Sequence, residues 1–118
     1  MKTSELTGAA LGYAVAVIER TGIASYNSDS GYLLRVDGSR WWPYEDWAQG
    51  GPIIEREEIG LKRNAPCSAG REWEASPSST AKGAGGRWGY GPTPLIAAMR
   101  CFVASKLGDE VEIPEGLK

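Results

Sequence analysis

The chain contains no histidine. That absence removes Ser-His and Cys-His nucleophile activation and the usual zinc sites. It leaves carboxylates as the side chains able to act as bases near neutral pH. Cysteine is scarce as well: Cys67 and Cys101 stand far apart, with no Cys-x-x-Cys pair. That pattern favours two free thiols in a reducing compartment over a disulfide. No apolar run reaches membrane-spanning length, and no charged-then-apolar leader with a cleavage site opens the chain. The expectation is therefore a cytoplasmic protein with no membrane partner. Positive charge is not in excess either. Thirteen Lys and Arg meet fifteen Asp and Glu for a net charge of −2. The basic residues are scattered, which argues against nucleic acid as a partner.

What is present is the composition of a globular protein. With 118 residues, 42% hydrophobic and 24% charged, the chain is long enough for one domain spanning residues 1–118 and too apolar to stay disordered. In "SELTGAALGYAVAVIERTG", Thr7 can cap a helix, and Leu6 and Leu11 have the spacing of a hydrophobic staple. Leu11, Ala14, Val15 and Ile18 then recur as one apolar stripe, and Gly22 is a natural stop. "GPTPLIAAMRCFVASKLGDE" signals a second helix more strongly, with Thr93 as cap, Pro94 at the first helical position and Gly108 at the end. From Leu95 to Ala104 its only charge is Arg100, so this helix should be deeply buried.

Between the helices the pattern turns to β. "GYLLRV", "DGS" and "RWW" read as strand, turn and short strand. "PIIEREEIGL" reads as β-prone from Ile53 onward, and "REWEA" as a strand returning against Ile59 and Leu61. Residues 76–92 form a Gly/Ser-rich loop, either mobile or ligand-binding. The acidic tail "DEVEIPEGLK" should run extended. The expected fold is α+β: two helices, one at each end, packed on a small, mainly antiparallel sheet.

Several residues are candidates for a site. In "DWAQGGP", Trp47 can stack on a planar ring and Gln49 can read its polar edge. The Gly50-Gly51 backbone can approach a ligand closely. The same letters also read as a plain turn before a strand. Four aromatics (Trp41, Trp42, Tyr44, Trp47) fall within seven residues, more than strand alternation can bury against one core. Either some face a groove or a partner, or they build a second small core. Arg100 needs a partner: a carboxylate such as Glu55, Glu57 or Asp46, or an anionic ligand. Thr93 opens a helix whose free N–H groups favour anions. "EREE" would set Glu55 and Glu57 on one face of a strand, with a solvated edge the simpler meaning.

Three segments, "KTSELTGAALGYAVA", "DWAQGGPIIEREEI" and "GPTPLIAAMRCFVASKLGDEVEIPEGL", resemble the small phage and prophage proteins called NinX-like. Ile23 to Pro43 and Leu61 to Gly91 resemble the family less. An acidic residue is usual there where this chain has Gly12. The resemblance implies a protein made in the bacterial cytoplasm and brings no catalytic residues to carry over. It also implies that the central motif and the start of the last helix could share one pocket.

The expectation drawn from all this is a non-enzymatic binding protein, homo-oligomeric, without cofactor or metal. It would hold a small anionic or nucleotide-like ligand through Asp46, Trp47, Gln49, Gly50, Gly51, Arg56, Thr93 and Arg100. The alternative is a protein–protein adaptor that modulates a host or phage enzyme through its aromatic surface. An enzyme built on Glu55 or Asp46 lacks a visible nucleophile, metal set or oriented base.

Overall fold

The computed structural model describes residues 1–27, 31–64, 69–78 and 87–117. After a 3-10 turn at Thr3–Glu5 comes helix α1, Gly8–Glu19. Strands β1 (Ile23–Asn27), β2 (Tyr32–Arg35) and β3 (Arg40–Trp41) follow, then helix α2, Trp47–Glu57. Strands β4 (Gly60–Arg63), β5 (Trp73–Ser76) and β6 (Gly89–Gly91) precede helix α3, Pro94–Leu107. The strands form two antiparallel sheets, β1-β2-β3 and β4-β5-β6. The fold is α+β, with three helices and two sheets where the sequence suggested two helices and one sheet.

The end helices form as their capping residues dictate. In α1, Leu6 and Leu11 are both fully buried, as a staple requires. Thr7 occupies the cap position but makes no side-chain cap bond, and the helix closes on Arg20 in the left-handed region rather than on Gly22. In α3, the Thr93 hydroxyl accepts from Ile96 N at 3.2 Å, Pro94 opens the helix, and Gly108 ends it at positive φ. Met99, Phe102 and Val103 of α3 meet Leu11 and Val15 of α1 and Leu33 of β2 in one buried cluster.

The stretch from Ile53 to Glu57 is a correction: it is helix, not strand, and only Gly60 and Leu61 at its end enter a strand, β4. Asp46 caps α2, its carboxylate accepting from Ala48 N at 3.1 Å. Gly50, Ile53, Ile54 and Glu57 then recur at helical spacing, and Gly50 and Ile53 are buried. Gly50 is required here, because a Cβ would sit 2.6 Å from Leu95 Cδ2 and against the Pro43 carbonyl. Pro52 is tolerated inside the helix although it forfeits a backbone bond. Tertiary packing overrides the turn chemistry of Gly-Gly-Pro.

The β-hairpin read from "GYLLRV" and "DGS" is present. Leu33 pairs with Trp41, and the Asp37 carboxylate closes the turn by accepting from Ser39 N at 2.9 Å. The return of "REWEA" is also present, with Leu61 opposite Ala75. Strand β6 lies inside the stretch read as a loop, and residues 79–86 of that stretch lie outside the described residues. The tail pairs with the N-terminal segment, Glu110 bridging Lys2 and Val111 N donating to Met1 O at 3.0 Å, but its end winds into a 3-10 turn at Glu115–Leu117 instead of staying extended.

Candidate functional site

Strand β6 is the structural origin of the site. Gly89 and Gly91 press the backbone of β6 directly onto α3. A Cβ on Gly89 would meet Ala97 O and Cys101 N, and one on Gly91 would lie 2.8 Å from Ile96 Cγ2. This close approach sets the Tyr90 carbonyl over Arg100, whose Nη1 donates to it at 2.7 Å. From the other side the N-terminal segment supplies the Leu6 carbonyl, which accepts from Arg100 Nε at 2.9 Å. That segment is held by Thr3, whose hydroxyl donates to Gly108 O at 2.6 Å and whose N donates to Asp109 O at 2.8 Å.

No carboxylate among the described residues pairs with Arg100, which is a second correction. Among the described residues the ion pairs are Arg56 with Glu19 and Glu57, Lys106 with Glu57, and Arg87 with Asp109. Sequence reasoning pairs charges with charges and does not see two main-chain carbonyls converging on a guanidinium. Those carbonyls occupy two of its five N–H donors. Burial holds the Arg100 pKa below its ordinary value, the effect expected when a charge is desolvated without a counterion.

Arg100 lines a cleft of about 530 Å³ together with Lys2, Arg71, Trp88, Tyr90 and Glu110. The Arg71 guanidinium rides over the Tyr90 ring at 4.2 Å. Trp88 is 55% exposed. The cleft thus combines three cations, an open indole and the carboxylates of Asp109 and Glu110 in one concavity. Lys2, Arg71, Trp88 and Tyr90 were not singled out from sequence. The available signal was "RWGYGP", two aromatics between glycines just ahead of a capped helix.

The residues of the central motif lie elsewhere. Trp47, 52% exposed, borders a shallow groove of about 440 Å³ with Tyr44, Thr93, Pro94 and Ile96. Trp47 and Thr93 are therefore together, but none of the residues around this groove also lines the Arg100 cleft. The Gln49 side chain is committed to the backbone: its Oε1 accepts from Trp42 N at 2.7 Å and its Nε2 donates to Arg40 O at 2.6 Å. Asp46 serves as the α2 cap, Gly50 as a packing position, and Gly51 faces open space. Arg56 is bound to Glu19 at 2.7 Å and Glu57 at 2.9 Å.

The aromatic run divides between core and surface. Trp41 and Tyr44 are buried, and the Trp41 indole donates to Gly12 O at 2.8 Å. Tyr44 packs on Gly12, where a Cβ would lie 3.0 Å from its ring. Burial, seconded by Glu45, pushes the Tyr44 pKa up to about 12. Trp42 stands edge-on to Tyr32 at 4.8 Å, with Arg40 over both rings.

Cys101, Glu55 and Glu57 are poorly placed for covalent or acid–base work. Cys101 is a free, buried thiol donating to Arg87 O, and burial pushes its pKa up to about 11. Cys67 lies outside the described residues. Glu55 and Glu57 sit on a helix and so do not share a face. Burial raises the Glu57 pKa, but hydrogen bonds from Arg56 and Lys106 outweigh it and hold it below the ordinary value. Among the described residues no cluster of ligating side chains could hold a metal ion, and no helix is long and apolar enough to cross a membrane.

The family model described as bacteriophage P22 NinX matches residues 2–106. The chain belongs to the NinX family. The match spans both the Arg100 cleft, apart from its Asp109 and Glu110 rim, and the Trp47 groove. No curated protein matches the chain. Membership in NinX confirms the resemblance carried by the three motif segments and assigns a phage protein.

Proposed function

We propose that this NinX protein is a non-enzymatic binding protein, working in the bacterial cytoplasm, that holds a small anionic ligand in the Arg100 cleft. One observation carries the reading. Arg100 is half-buried, yet among the described residues no carboxylate meets its charge. A desolvated guanidinium costs stability unless something compensates it, and a bound anion is the compensation that a cleft allows. Lys2 and Arg71 on the same cleft support the choice of sign.

The test is thermal unfolding with and without millimolar inorganic phosphate or sulfate, on the native protein and on Arg100→Gln. A ligand at a hundredfold its dissociation constant stabilises by about 2.7 kcal/mol. The native melting temperature should rise with anion and that of the variant should not. Equal shifts for both proteins would remove Arg100 from the site and overturn the reading.

The adaptor reading is favoured by one different observation, the half-exposed Trp47 beside apolar Pro94 and Ile96. Exposed Trp side chains of this kind anchor protein interfaces. A stoichiometric protein partner, lost on Trp47→Ala and indifferent to Arg100→Gln, would be the result that selects it.

A further inference from the structure

We propose that the Arg100 cleft takes a nucleoside monophosphate, with the phosphate on Arg100 and the base across the indole of Trp88. This rests on the anion-binding reading above and narrows it to one chemical class.

The first argument is the division of labour among the rings. Tyr90 already has a cation on its face, the Arg71 guanidinium at 4.2 Å. Among the described residues no ring or cation covers Trp88, which stands 55% exposed on the cleft wall. A large apolar surface left open beside a cationic floor suits a planar, polarisable group joined to an anion. Base stacking on such a ring is sequence-tolerant and substantial.

The second argument is the charge count. Lys2, Arg71 and Arg100 stand against Asp109 and Glu110, and Asp109 is shared with Arg87 at 3.3 Å. The surplus of positive charge is small. It matches one phosphate group, which carries roughly −1.5 to −2 near neutral pH. A triphosphate or a polynucleotide would bring several further negative charges against Glu110 and against a chain whose net charge is −2. The carboxylates have a use in the same picture, since ribose hydroxyls and exocyclic amines donate to them. Arg100 keeps three N–H donors for phosphate oxygens beyond the two bound to carbonyls. A cleft of about 530 Å³ falls within the size range of small-molecule sites.

The experiment is isothermal titration of the intact protein with AMP, GMP, CMP and UMP, and in parallel with adenosine, inorganic phosphate and ATP. At least one monophosphate should bind about tenfold or more tightly than both inorganic phosphate and adenosine, and more tightly than ATP. Trp88→Ala, an exposed position whose loss spares the core, should cost about tenfold for the monophosphate and leave inorganic phosphate unchanged. Arg100→Gln should weaken both. Equal affinity for phosphate and every monophosphate, indifferent to Trp88→Ala, would overturn the nucleotide assignment and leave anion binding standing. Tighter binding of ATP would overturn the limit to one phosphate. No binding by any probe, or binding that Arg100→Gln does not touch, would overturn the anion reading itself.

Discussion

Arg56 and Arg100 lie on helices that pack against each other, and their surroundings are opposite. Arg56 is the more exposed of the two, yet it is gripped by Glu19 and Glu57, and Glu57 in turn holds Lys106. The hydrogen bonds that Arg56 donates to both carboxylates raise its pKa. It ties α1, α2 and α3 together at the surface. Arg100 is the more buried, its pKa is lowered by burial, and among the described residues it is held by main-chain carbonyls alone. A cation that serves stability is given its anions by the fold. A cation left without them in a cleft is a cost that the folded chain alone does not recover, and such costs concentrate at binding sites.

That contrast can be broken most forcefully through Gly89. Gly89→Ala drives a Cβ into the α3 backbone, so β6 must lift and the Tyr90 carbonyl must leave Arg100. A loss of about 3 kcal/mol in urea unfolding is expected, and anion binding should fail with it. A neutral result would mean that β6 does not set the cleft. Next in size is Arg56→Gln, which should cost about 1 kcal/mol by the same assay while leaving anion binding intact.

The same contrast has a pH signature. The Glu57 pKa is depressed in the folded state from an ordinary value of 4.5. Its contribution is therefore fully present above that value and is lost as pH falls through the lower, folded one. Melting temperature should drop on acidification below pH 4.5, and Arg56→Gln should flatten that drop. A slope unchanged by the substitution would mean that the ion pairs do not act on stability.

Arg100→Gln sharpens the comparison from the other side. Relief of an unpaired, desolvated charge offsets two hydrogen bonds to carbonyls that border an open cleft. Its stability should stay within about 0.5 kcal/mol of the parent, with anion binding gone. The smallest effect belongs to Trp47→Ala: stability within about 0.5 kcal/mol and no change in anion affinity by titration. A loss of binding there would return the site to the central motif.

How much of this could be read from the letters alone depends on whether the deciding contacts are local. The ends of α3 were legible because Thr93, Pro94 and Gly108 act within one turn of themselves. The Leu6–Leu11 staple and the Asp37–Ser39 turn were legible for the same reason. Helix α2 was not, since Gly50 is explained only by Pro43 and Leu95 pressing on it. The site divided in the same way. Arg100 stood out as a lone charge on an apolar helix, but the carbonyls that hold it come from Leu6 and Tyr90. Gln49 looked like a ligand reader because nothing local reveals its two bonds to the hairpin backbone.

The long span of the Arg100 contacts also bears on how the molecule comes into being. Arg100 reaches back 94 residues to Leu6, and Thr3 reaches forward 105 to Gly108. The hairpin β2-β3 closes over a few residues and can form early. The anchor of the cleft must wait for one of the longest loop closures in the chain. A ribosome-bound chain ending before α3 lacks Arg100 and the helix on which β6 packs, so ligand affinity reports directly on completed folding.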